Sequence, residues 1–208
     1  FNSRFYRANL LWEKDTLRFR DIHIFDETVA SDYLAERGTT SKCFYYTLPV
    51  VDGFYWSSKD SVAGLRFKTT SGDEIKGTAP AVDDSVPGQL IVKWPTVSPK
   101  GRIDIIFTEK AAFISARGDL KGNWRLELTG DKTTDLPYIK TNGETLSCKF
   151  EDNSYKVKAV KGTFVYDSSW GLIINPEDGS ITLDFACDAL PSQCSSNRLM
   201  EKAKMSSM

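Results

Sequence analysis

The chain contains one histidine, His23, and it stands in a charged run, Thr16-Leu-Arg-Phe-Arg-Asp-Ile-His-Ile-Phe-Asp-Glu27. An imidazole beside a carboxylate is the smallest kit for general acid–base work. Any Ser-His-Asp or Cys-His arrangement in this chain has to use His23. There is no Gly-x-Ser-x-Gly elbow to present a nucleophile. Arg20, Asp21 and His23 are therefore the catalytic candidates if the chain catalyses anything. The same run has a phase defect. Leu17 and Phe19 share one parity, while Ile22 and Ile24 share the other, so one regular strand cannot bury all four. A β-bulge near Arg20–Asp21 resolves the conflict. Past the bulge, His23 is expected on the face of Arg18 and Arg20, gathering two cations and the imidazole on one surface.

Aromatic residues form the second concentration of chemistry: twelve Phe, eight Tyr and five Trp. Phe44-Tyr-Tyr46 and Phe54-Tyr-Trp56 lie on either side of Asp52-Gly53, which reads as the two-residue turn of a hairpin. Side chains alternate faces along a strand, so each triplet sends at least one ring outward. Exposed Tyr and Trp beside Asp and Arg suit sugar recognition. The rings stack on the C–H faces of a pyranose and the polar groups bond its hydroxyls. The expected ligand-binding set is Arg18, Tyr45, Tyr46, Asp52, Tyr55 and Trp56, with carbohydrate as the partner.

Other chemistries are removed by what the chain lacks. The formal net charge of -1 argues against nucleic acid as a partner. No Gly-rich phosphate cradle is present. One histidine precludes a multi-His zinc or copper centre, and no C-x-x-C pair occurs. No cofactor is expected and no metal site is assigned. Structural calcium held by Asp83-Asp84 or Glu151-Asp152 with loop carbonyls is the remaining option, though neither run resembles a 12-residue calcium loop. A glycosidase needs only two suitably spaced carboxylates. With 28 acids in the chain, that condition discriminates nothing. An enzyme reading would be a glycoside hydrolase or polysaccharide lyase; binding is preferred because no compact catalytic constellation stands out.

The elements that must position these residues are strands. Trp124, Leu126 and Leu128 alternate with polar residues, as do Ile181, Leu183 and Phe185, and Leu65 and Phe67. This is the period of half-buried strands. Turn residues separate about a dozen such runs, which predicts an all-β fold: a large, jelly-roll-like antiparallel two-sheet sandwich. At most one short helix is expected, at 31–37, with Gly38 at its C′ position. Residues 1–194 form one domain and 195–208 a loosely ordered polar tail. The long segments Thr78–Gly88 and Thr129–Glu144 are expected to line a site or cover an edge.

No run approaches the ~18 apolar residues of a membrane span. Four cysteines, Cys43, Cys148, Cys187 and Cys194, permit two disulfides in three connectivities; Cys187 and Cys194 suit a small loop staple, while Cys148 shares a face with Leu146 and Phe150 and is expected in the core. The strand-like start at Phe1, without a leader, implies a processed or partial chain, with a secreted, periplasmic or cell-surface location. Neighbouring domains or a homo-oligomer are compatible with it. A structural role, as a jelly-roll shell subunit or adhesin, is the alternative function. A further alternative is a β-barrel carrier of an apolar ligand, since Gly122-Asn-Trp124 resembles the Gly-x-Trp of lipocalins, although in that family the motif lies on the first strand.

Overall fold

The structure, a computed structural model, describes residues 1–26, 47–168 and 171–186. These form sixteen strands: β1 (Tyr6–Glu13), β2 (Thr16–Ile24), β3 (Leu48–Asp52), β4 (Gly64–Lys68), β5 (Lys76–Gly77), β6 (Ala81–Asp83), β7 (Leu90–Ser98) and β8 (Lys100–Phe107), then β9 (Ala111–Gly118), β10 (Arg125–Thr129), β11 (Tyr138–Thr141), β12 (Thr145–Phe150), β13 (Asn153–Lys161), β14 (Thr163–Asp167), β15 (Gly171–Asn175) and β16 (Ser180–Asp184). There is no helix among the described residues. The helix expected at 31–37 and the tail 195–208 lie outside them.

Two sheets pack face to face. The first has the order β1-β2-β4-β10-β15-β14, with β3 also paired to β2. The second runs β11-β12-β13-β16-β9-β8-β7-β5, with β6 on β7. Among the described residues both sheets are open, so these strands make a sandwich and not the closed barrel of the carrier alternative. Alternation explains the core directly. Leu65 and Phe67 face inward from β4, Leu126 from β10, and Ile103, Ile105, Ile114, Val157 and Ile181 from the second sheet; all are fully buried. Phe67 bridges the layers, with ring centroids 5.8 Å from Phe19, 5.7 Å from Trp94 and 6.2 Å from Trp124. Trp124, the ring of the Gly-x-Trp motif, is a filler between sheets.

The phase defect in β2 is resolved by a bulge. Asn9 of β1 pairs with Asp21 and Leu10 with Phe19, leaving Arg20 without a partner on β1. The extra residue lets Leu17, Phe19, Ile22 and Ile24 all enter the core. It leaves Arg18, Asp21 and His23 on the outer face of β2. The expected gathering of Arg18, Arg20 and His23 is corrected in part. Arg20, at the bulge, turns back onto Asp21 at 2.8 Å, and Arg18 pairs with Glu13 at 3.4 Å.

The Asp52-Gly53 hairpin does not form. β3 pairs with the Asp21–Ile24 half of β2, while β4 pairs with Arg18 and Phe19 of the same strand. Between them the chain makes a tight turn in which the Trp56 amide donates to the Asp52 carbonyl at 3.3 Å. The cause is the Asp52 side chain. Its Oδ1 accepts the amides of Phe54 at 2.9 Å and Tyr55 at 2.8 Å, closing an Asx-type turn where a two-residue hairpin was expected.

Candidate functional site

The bulge and the turn together place three ionisable side chains side by side. Asp21 and His23 share the outer face of β2, and register puts Asp52 directly opposite Asp21. All three are buried. Carboxylates facing each other across a strand pair repel unless each is satisfied. Asp21 is held through Oδ2 by Asn9 Nδ2 at 2.9 Å and Arg20 Nε at 2.8 Å, and through Oδ1 by the Gly53 amide at 3.0 Å. Asp52 uses Oδ1 for the turn and leaves Oδ2 3.4 Å from His23 Nε2. The other ring nitrogen, Nδ1, lies 2.6 Å from Thr47 Oγ1. Burial pushes the Asp52 carboxyl upward. The hydrogen bond from His23 and the amides of Tyr55 and Phe54 outweigh it, so Asp52 is held below the usual carboxylate range.

His23 and Asp52 open onto a cleft of about 510 Å³. Its near wall is Thr47, Pro49, Tyr55 and Trp56. Its far wall is Phe150, the last residue of β12, and Glu151 of the β12–β13 turn in the second sheet, with Thr134 and Asp135 from the connection between β10 and β11. An adjoining hollow of about 300 Å³ shares Trp56, Thr134 and Asp135 and continues past Tyr166. Residues 129–136 of the long 129–144 segment thus line these hollows, and its remainder carries β11.

The expected site residues divide. His23, Asp52, Tyr55 and Trp56 line the cleft. Asp21 lies behind His23 and Asp52, and Arg20 braces Asp21 from outside. Arg18 is buried against Glu13 and does not line the cleft. Tyr45 and Tyr46 lie outside the described residues. The rings of the 54–56 run are sorted differently from expectation. Trp56 is only 5% exposed and packs edge-on against Tyr138 at 6.0 Å, forming a wall. Tyr55 is 77% exposed and Phe54 74%, their rings in an edge contact at 5.2 Å.

Although Glu151 was named as a calcium candidate, Thr47, Asp135 and Asn9 were missed by sequence reasoning. Only the unusual length of the 129–144 segment pointed toward any of them. Of the acids considered for calcium, Asp83 accepts the Ser85 amide at 3.0 Å, and Glu151 lines the cleft. Cys148 is a free, buried thiol. Cys43, Cys187 and Cys194 lie outside the described residues. No helix among the described residues is long and apolar enough to cross a membrane.

Fold and site thus define an antiparallel β-sandwich with an acid–imidazole cleft at one edge. Comparison with known protein families, with curated proteins and with solved structures found no match.

Proposed function

We propose that this chain binds carbohydrate in the His23–Asp52–Tyr55 cleft. One observation carries the reading. The exposed Tyr55 ring stands at a cleft large enough for a sugar unit, directly beside fixed polar groups. A ring offers its face to pyranose C–H groups, and Asp52, Thr47, Thr134 and Asp135 offer acceptors and hydroxyls to its alcohols. Rigid acceptors favour recognition, because little rotamer freedom remains to be lost on binding. Asp52 is clamped by two amides and His23 by Thr47.

The charge of the lining narrows the ligand. Asp52, Asp135 and Glu151 are acidic, and no Lys or Arg belongs to this cleft among the described residues. Neutral or amino sugars fit such a lining, whereas uronates meet like charge. A glycan array probed with the purified chain and with Tyr55→Ala tests this. The expected result is a hit on neutral or amino-sugar glycans that disappears in Tyr55→Ala. A blank array with folded protein, or a hit retained by the variant, contradicts the reading.

A further inference from the structure

We propose that Asp21, His23 and Asp52 form a site for one divalent first-row transition-metal ion of the zinc type at the floor of the cleft. Among the described residues these are the one group of three His, Cys, Asp or Glu side chains whose ligand atoms converge, all within 4.8 Å of one another. This inference is independent of the carbohydrate reading.

Geometry comes first. His23 Nε2 and Asp52 Oδ2 are 3.4 Å apart. Two ligands bonded to one tetrahedral ion at ~2.0–2.1 Å are separated by ~3.3 Å, so this pair already stands at a ligand–ligand distance. The Asp21 ligand atom lies within 4.8 Å of the other two, so a side-chain adjustment of up to about 1.5 Å, releasing one of its present hydrogen bonds, would complete the set around such an ion.

Each ligand is also braced from behind. The Thr47 hydroxyl holds Nδ1 of His23 at 2.6 Å, which aims Nε2 at Asp52. Two amides hold Oδ1 of Asp52 and leave Oδ2 turned toward the imidazole. Asn9, Arg20 and the Gly53 amide fix Asp21. Outer partners of this kind, on every ligand, orient metal-binding side chains. They are what distinguishes this group from acids scattered on a surface.

Charge gives the third reason. Two buried carboxylates face each other here, and among the described residues the one Arg or Lys paired with either is Arg20, which bridges to Asp21. A bound cation would offset the negative charge that remains on Asp52. An imidazole nitrogen with two carboxylate oxygens selects zinc-like ions over calcium, which takes oxygen ligands alone. His23 and Asp52 line the cleft, so the remaining coordination positions would face it and take water or a ligand's hydroxyl oxygens.

The test uses the full chain, stripped with chelator and titrated with Zn²⁺ by calorimetry. The expected result is one ion bound through this group. Binding should be lost in His23→Gln and weakened ~10–100-fold in Thr47→Val, which removes only an outer partner. Absence of Zn²⁺ binding to the parent chain overturns the proposal. So does binding retained at full strength in a folded His23→Gln, which would place the ion on cysteine thiols. Should His23→Gln fail to fold, Thr47→Val and Asp52→Asn decide, and unchanged affinity in both overturns it. A glycan array without hits leaves this result standing, and the converse also holds.

Discussion

Asp52 uses its two oxygens for different ends: Oδ1 closes the turn that follows β3, and Oδ2 faces His23. Its folded carboxyl is held below the ordinary range. The stability it contributes is therefore complete above the unfolded value of ~3.9 and is lost as pH falls through the lower folded value. In chelator-treated buffer, the melting temperature of the parent chain should approach that of Asp52→Asn as pH drops below about 4. Parallel curves would contradict the assignment. Tyr55 behaves oppositely. Its ring is mostly in solvent, so Tyr55→Ala should change stability by no more than ~0.5 kcal/mol in a denaturant titration while removing glycan binding. Burial pushes the Cys148 thiol up to about 12, against a hydrogen bond with Tyr155 that lowers it. At about pH 8 iodoacetamide should leave Cys148 unmodified in the native chain and label it in urea, as peptide mass mapping would show.

At the scale of elements, the bulge in β2 is the device that makes the site. Without an extra residue at Arg20, Leu17 and Phe19 would enter the core only by sending Ile22 and Ile24 out and His23 in. Gly53 protects this arrangement. A Cβ there would lie 2.6 Å from the Arg20 carbonyl oxygen and 2.7 Å from its Cγ. Gly53→Ala should cost ~1–3 kcal/mol in a chemical melt, because the bulge backbone itself must shift. Trp124→Ala should cost ~3–5 kcal/mol, since the ring fills the space between the sheets. The bulge was legible because hydrophobic parity is a local signal, and four apolar residues in one strand disagreed about the inward face. The Asp52-Gly53 turn was misread because the dipeptide suits a hairpin by backbone preference alone. The competing bonds, from the amides of Phe54 and Tyr55 to the Asp52 carboxylate, ended strand pairing, so the expected exposure of Trp56 as a ligand-binding ring did not follow.

For the whole molecule, the cleft exists only because the sheets pack. β2 and β3 supply the imidazole and Asp52, the β12–β13 turn of the opposite sheet supplies Glu151, and the β10–β11 connection supplies Asp135. Those contributions are far apart in the chain. Period-2 patterns foretold two sheets yet could not say which turn closes over which strand. The single histidine offers a direct test of the proposal that this composite cleft takes sugar. We would record the His23 imidazole resonances by NMR while titrating neutral and N-acetylated hexasaccharides. The expected result is a saturable shift of the His23 signals, absent in Tyr55→Ala. A sugar that binds without moving His23, or no binding by a folded chain, would contradict it.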